Sequence, residues 1–235
     1  MKTFAGIASL PGRPLQRVVR SLILQVDAVG VWLNGYSEVP EWLQRLSDHS
    51  DVPVVCRKDN QGSSRKLRWA DAKPEAVYFA CDDDLEYPPD YVATMMAEYE
   101  RWGPRVIVTA CGRTLKEHPT GWRDWVGEGR YVAAVPEARW INYVGGCAFA
   151  FHTSLKLPVI DPPNEEEAIL SVWAQRHDIP IRLVARPYDW PKRIPLAPGA
   201  FTLYEEAARE RFATRSAIIR SVDQWVIHTP SEVPA

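Results

Sequence analysis

The sequence predicts an α/β fold built on a mostly parallel sheet. Three observations carry this expectation. Short apolar runs of strand length recur through the first half, stretches of helical period lie between them, and the runs stop at glycine, proline or acidic turn residues. Strands that alternate with helices are joined by crossovers, which lay the strands parallel and put helices on the sheet's faces.

Taken in order, residues 3–9 read as a buried strand that ends at Pro11-Gly12. Residues 14–25 carry Leu15, Val18, Val19, Leu22 and Ile23 at helical spacing. A second strand over 28–33 stops at Asn34-Gly35, and a short helix over 39–49 places Trp42 and Leu46 on one side. Strand three spans 52–56, helix three 63–72 and strand four 76–81. A proline-started helix over 90–102 and a fifth strand over 105–111 complete the regular half. After Gly112 the pattern breaks. Residues 113–130, rich in Trp, Arg and Gly, read as a long loop. Strands are expected over 131–135, 141–144 and 181–185, the second followed by Gly145-Gly146 and the run CAFAFHTS. A helix over 164–177 is expected to be capped by Asn164, with glutamates in its first turn. A last helix is expected over 203–222, with a disordered SEVPA tail.

The 235 residues fit one domain with two parts, 1–112 and 113–235. A formal net charge of −2 gives no overall basic field toward nucleic acid or anionic lipid, although Arg57, Lys58, Arg65, Lys66 and Arg68 cluster in sequence. Cys56, Cys81, Cys111 and Cys147 form no C-x-x-C and lie in or beside apolar runs, which reads as buried reduced thiols and a cytoplasmic protein. No run of about 18 apolar residues suggests a membrane span, and the N-terminus has too short an apolar run for a signal peptide.

The most informative segment is AVYFACDDDLEYPPDYV at 76–92. In extended chain, Asp82 and Asp84 would share one side and Asp83 point away. Carboxylates converging at a strand exit repel one another unless a cation sits between them, and hard oxygen donors suit Mg²⁺ or Mn²⁺ together with phosphates. Strand C-terminal ends are also where α/β sheets bind ligands. Helix capping accounts for one aspartate at most. A calcium loop lacks its spacing and glycine, and a phosphatase-type Asp-x-Asp would be followed by a small hydroxyl residue, not Leu85-Glu86. The segment reads as a metal–diphosphate site.

With IASLPGR, WLNGY, GSSRKLRW, CDDDLEYPPDYV, GGCAFAFHTS and ARPYDW in this order, the chain resembles GT-A-fold glycosyltransferases, more narrowly short bacterial and phage family 2-like enzymes, to about residue 225. The resemblance implies a GT-A-like fold with a Rossmann-like nucleotide-binding half and an irregular acceptor-binding half. It implies a nucleotide-diphospho-sugar donor near Ala8, Ser9, Arg13, Asn34, Gly35, Tyr36 and Lys66, with Asp82 and Asp83 near ribose and metal. Asp84 becomes the principal ligand of Mn²⁺ or Mg²⁺, with Asp82, and His152 is a further candidate ligand. The family's helix usually begins with Asn and carries an Asp three residues later; Glu167 stands at that place as the base of an inverting transfer, and Glu166 is the next candidate. Gly145 and Gly146 would let backbone approach sugar or acceptor. Trp122, Trp125, Trp140 and Trp190 lie where an acceptor face would be built, whereas Trp173 is expected in the core.

The acceptor is a glycan or lipid-linked saccharide in the favoured reading, and DNA in another, where the basic stretch would meet a backbone. A sugar-nucleotide nucleotidyltransferase and a non-catalytic nucleotide-sugar-binding module are the remaining readings.

Overall fold

The apolar runs become strands whose side chains alternate between two cores. The structure, a computed structural model, describes residues 1–50, 52–72, 75–126, 133–196 and 213–230. Lys2–Ser9 forms β1, Leu15–Leu22 α1, Ala28–Asn34 β2, Glu41–His49 α2, Val54–Arg57 β3 and Ala76–Cys81 β4. Leu85–Glu86 (β5), Tyr91–Trp102 (α3), Ile107–Thr109 (β6), Gly112–Leu115 (β7) and Trp125–Val126 (β8) follow. Arg139–Ile141 (β9), Tyr143–Val144 (β10), Ala148–His152 (β11), Glu166–Arg176 (α4), Ile181–Leu183 (β12) and Lys192–Arg193 (β13) complete the set, and residues 213–219 are helical.

Eight strands make one sheet in the order β3-β2-β1-β4-β11-β6-β12-β9. The first four pair in parallel, as do β6 and β12, while β11 runs antiparallel between β4 and β6. On β4, Val77, Phe79 and Cys81 join the core beneath α1, α2 and α3, whereas Tyr78 and Ala80 join the core that holds Trp32, Trp69, Phe149 and Leu170 of α4. The period-2 pattern therefore supplies both faces from one strand.

Four local expectations are corrected. Residues 63–72 form two 3-10 turns, Ser63–Leu67 and Ala70–Ala72, and not an α-helix. The tight winding turns Lys66 inward, and the Tyr78 hydroxyl donates to the Lys66 carbonyl. The stretch from 113 onward is not all loop: β7 pairs with both β8 and β10, and Arg113 lies 4.5 Å from the Trp122 ring centre and 4.1 Å from that of Trp125. Asn164 does not cap α4. Its φ of +71° turns the chain, and its side-chain oxygen accepts from the Ser63 amide at 2.6 Å. Cys111 and Cys147 are joined in a disulfide, leaving Cys56 and Cys81 as free thiols. Antiparallel β11 starts where β6 has just ended, so two cysteines 36 residues apart become neighbours. The cysteines therefore no longer support a cytoplasmic reading.

Of the strand expected over 131–135, Val135 bridges Arg186, while 131–132 lie outside the described residues. The same holds for 203–212 of the last expected helix and for the tail. Among the described residues no helix is long and apolar enough to cross a membrane.

Candidate functional site

The chain leaves β4 at Cys81, and Asp82, Asp83 and Asp84 enter a turn before β5. Strand alternation therefore stops one residue too early for the expected pairing of Asp82 with Asp84. Asp83 and Asp84 share a partner instead: the Arg13 guanidinium stands 3.9 Å from Asp83 Oδ2 and 3.7 Å from Asp84 Oδ2. Arg13 comes from the turn after β1, and the Leu10 amide there also donates to Asp83 Oδ2 at 3.3 Å. Burial pushes the Asp83 carboxyl up to about 6; Arg13 opposes the shift and the Asp84 charge adds to it.

Asp82 meets a second cation while remaining close enough to feel the Asp84 charge. Its Oδ1 lies 2.6 Å from Lys66 Nζ, which also meets Glu166 Oε1 at 3.1 Å and donates to the Gly146 carbonyl at 2.5 Å. Burial works against the Lys66 charge, but the Asp82 and Glu166 carboxylates outweigh it and hold the ammonium charged. Asp82 is pushed up to about 7, by burial first; Lys66 opposes this, while Asp84 and Glu166 add to it. Glu166 is also buried, yet Lys66 and the Ser63 hydroxyl, 2.8 Å from Oε1, hold its carboxyl below the ordinary range.

Glu167 stands beside this group. Its side chain is 27% exposed, and Oε2 lies 3.0 Å from Arg215 Nη1. A side chain on Gly146 would meet Glu167 Cγ at 2.8 Å, and one on Gly145 would meet the Cys111 carbonyl oxygen at 2.7 Å. Both glycines thus serve close approach, and what approaches them is the protein itself.

The remaining expected residues divide. Ser9 is buried and Ala8 half-buried at the end of β1, and the Tyr36 hydroxyl donates to the Leu10 carbonyl at 3.0 Å, so these join Arg13 and Asp83. Gly35, at φ +71°, turns the chain out of β2. Asn34 is committed internally: its amide donates to the Gly62 carbonyl at 3.1 Å and accepts from Trp32 Nε1 and the Gln61 amide, both at 3.0 Å. A cleft of about 460 Å³ opens beside Arg13 and Tyr36, with Gln16, Arg17 and Trp42 in its walls. Lys66 is a buried tie and not a solvated cation, and Arg57 and Arg65 lie over the Trp32 ring. Of the basic stretch, Arg57, Lys58 and Arg68 are exposed and Lys66 is not.

His152 is not brought to the aspartates. It pairs across the sheet with Val77, whereas the site lies beyond Cys81, which pairs with Ala148. Four residues of strand span about 13 Å, and His152 Nδ1 is bonded to the Ser154 hydroxyl at 2.6 Å. Trp122 and Trp190 are buried, the latter donating to Asp90 Oδ1 at 3.1 Å, so they build cores and no open acceptor face. Trp125, Trp140 and Trp173 are half-buried.

Sequence reasoning missed Ser63 and Arg215. Arg215 lies 48 residues from Glu167 in a stretch without a motif, and no local signal points to it.

No protein-family model matches the chain, and no curated protein matches it. Solved structures do. The crystal structure of GalNAc-T7 with UDP, GalNAc and Mn²⁺ aligns with 81% of this chain at a TM-score of 0.60 and 14% identity, and that of S. aureus TarS 1-349 with 80% at 0.53 and 13%. The match covers 45% and 59% of those chains, so this chain spans less than two thirds of either. A nucleotidyl transferase from Methanothermobacter thermautotroptrophicus lies further off, at a TM-score of 0.43. At these identities the likeness is one of architecture: the chain has the GT-A-like α/β fold, with a large, mostly parallel central sheet.

Proposed function

We propose that this chain is a divalent-metal-dependent glycosyltransferase that moves a sugar from a nucleotide-diphospho-sugar to an acceptor hydroxyl with inversion. The observation that carries the reading is the aspartate turn at the end of β4, set against Arg13 on one side and the Lys66–Glu166–Gly146 group on the other. GalNAc-T7, of the same fold, was solved with UDP and Mn²⁺, which supports it.

The donor set fits a hard cation. Asp84 is 23% exposed, and its nearest basic partner, Arg13, stands at 3.7 Å, outside hydrogen-bond distance. Asp82 engages Lys66 through Oδ1. Among the described residues no three His, Cys, Asp or Glu side chains converge as a ready-made metal cage. An ion held by one or two carboxylates and completed by phosphate oxygens, as Mg²⁺ usually is, needs no such cage. Asp84 would hold the Mn²⁺ or Mg²⁺, with Asp82. When bound, the ion supplies Lewis-acid stabilisation of charge on the departing diphosphate.

The chain's own groups divide the remaining work. Arg13 adds positive charge beside the diphosphate, and the Tyr36–Trp42 cleft receives the nucleoside. Glu166 is buried with both oxygens engaged by Ser63 and Lys66, whereas Glu167 is more exposed and keeps Oε1 toward Gly146 while Oε2 meets Arg215, which makes it the base. It takes the proton of the acceptor hydroxyl as that oxygen bonds to the anomeric carbon and the bond to the diphosphate oxygen breaks. The acceptor is a glycan or lipid-linked saccharide in this reading.

Calorimetric titration of UDP, GDP, TDP and CDP, with and without Mn²⁺, tests it. One nucleotide should bind in a metal-dependent way, and Asp84→Asn should abolish that dependence on a folded protein. Metal-independent binding of every nucleotide, or none by folded protein, sinks the proposal. Release of pyrophosphate in place of nucleoside diphosphate would mark a nucleotidyltransferase.

A further inference from the structure

We infer that Arg215, on the helix over 213–219, is a positioning residue that fixes Glu167 for proton transfer; this rests on the reading of Glu167 as the base. A glutamate in the first turn of a helix has three rotatable side-chain bonds, and at 27% exposure Glu167 has room to swing. Its Oε2 is pinned by Arg215 Nη1 at 3.0 Å. The other oxygen, Oε1, lies toward Gly146, 3.3 Å from where a Cβ on that residue would sit.

Arg215 can act as a fixed post because it is itself held on several sides. Its Nε donates to Glu165 Oε2 at 2.9 Å, and Glu165 is 1% exposed. Its Nη2 reaches the Asn164 carbonyl at 3.5 Å, and the Trp122 ring lies 5.3 Å from its guanidinium carbon. Burial works against the charge, but Glu167 and its neighbours outweigh it and keep the guanidinium protonated.

The planar fork gives one donor to each carboxylate in a fixed geometry, Nε to Glu165 and Nη1 to Glu167, whereas a lysine's rotating point charge fixes neither direction. Asn164 and Glu166, on either side of Glu165, reach Ser63 and Lys66 in the nucleotide half. One helix start is thereby held from both directions, and the C-terminal helix becomes part of the site.

The test is steady-state release of nucleoside diphosphate from UDP-, GDP-, TDP- and CDP-glucose with Mn²⁺, on the full chain, with water as the acceptor whose proton the base takes, using whichever donor is turned over. Arg215→Met should lower kcat about 100-fold and Arg215→Lys about 10-fold, with donor KM within about twofold, the size expected when a reacting group loses its alignment. Methylguanidinium should restore part of the rate to Arg215→Ala, and methylammonium should not. A purely structural Arg215 would not produce this kcat-only loss or its selective rescue. If Glu167→Gln stops release while Arg215→Lys and Arg215→Met keep wild-type kcat, the Arg215 inference fails alone. If Glu167→Gln releases at the wild-type rate, the base reading fails and the inference with it. Should Arg215→Met not fold, Arg215→Lys decides, since it keeps the charge and loses the fork.

Discussion

Replacing Lys66 with methionine removes one charge and little volume. Two carboxylates then lose their cation: Asp82, 2.6 Å from Nζ, and Glu166, 3.1 Å from it. Removing one partner of a buried ion pair costs about 3–5 kcal/mol, because the other charge stays buried and uncompensated. Asp82 is 33% exposed on its side chain and recovers some hydration, whereas Glu166, at 6%, recovers almost none. The expected loss therefore lies at the low end, about 3 kcal/mol. With a urea m-value of about 3 kcal/mol per M, the unfolding midpoint should fall by about 1 M. Lys66→Met combined with Glu166→Gln should regain most of that loss, since the stranded charge is then neutral. A loss within about 1 kcal/mol, the size of an ordinary substitution, would refute the account of Lys66 as the tie of the site.

Further outcomes follow from the same geometry. The Glu166 carboxyl is lowered from its ordinary 4.5, so its contribution to stability is present above that value and fades as pH falls through the folded one. Glu166→Gln should flatten the acid side of a thermal-midpoint profile, and an unchanged acid slope would contradict the pairing. Gly146→Ala should displace Glu167, whose Cγ a Cβ would meet at 2.8 Å, and slow transfer about 100-fold while metal-dependent nucleotide binding persists; normal transfer would separate Gly146 from the base. Thiol titration of the denatured, unreduced protein should count the two free cysteines, Cys56 and Cys81, and a count of all four would refute the Cys111–Cys147 bond.

How much was legible in the chain depends on the range of the interaction. Strand runs such as Ala76–Cys81 announce themselves, because burial on both faces needs apolar residues at every position. The aspartate run stands out for a similar reason: it ends an apolar run abruptly, and it lies at the exit of β4 as its place in the sequence implies. Its geometry was not legible, since a turn begins at the residue where alternation was assumed to continue. Lys66 reads as a donor-binding cation because its neighbours in sequence are basic and polar, while the groups it meets come from the exit of β4, the Gly146 turn and α4. Arg215 and the Cys111–Cys147 pair depend on distant segments meeting, and neither spacing nor composition carries that information.

The antiparallel β11 also has a consequence during synthesis. Strands β1 to β4 can pair as they emerge, each beside a strand already made, but the outer edge of β4 stays open until residue 148 has left the ribosome. That edge is Val-Tyr-Phe-Ala, apolar on both faces, and an unpaired edge of this kind is a template for other chains. β6, although made earlier than β11, must wait for it before joining the sheet. The nascent chain is thus most vulnerable to association in the interval between Cys81 and Ala148, which is where a holding chaperone would matter most.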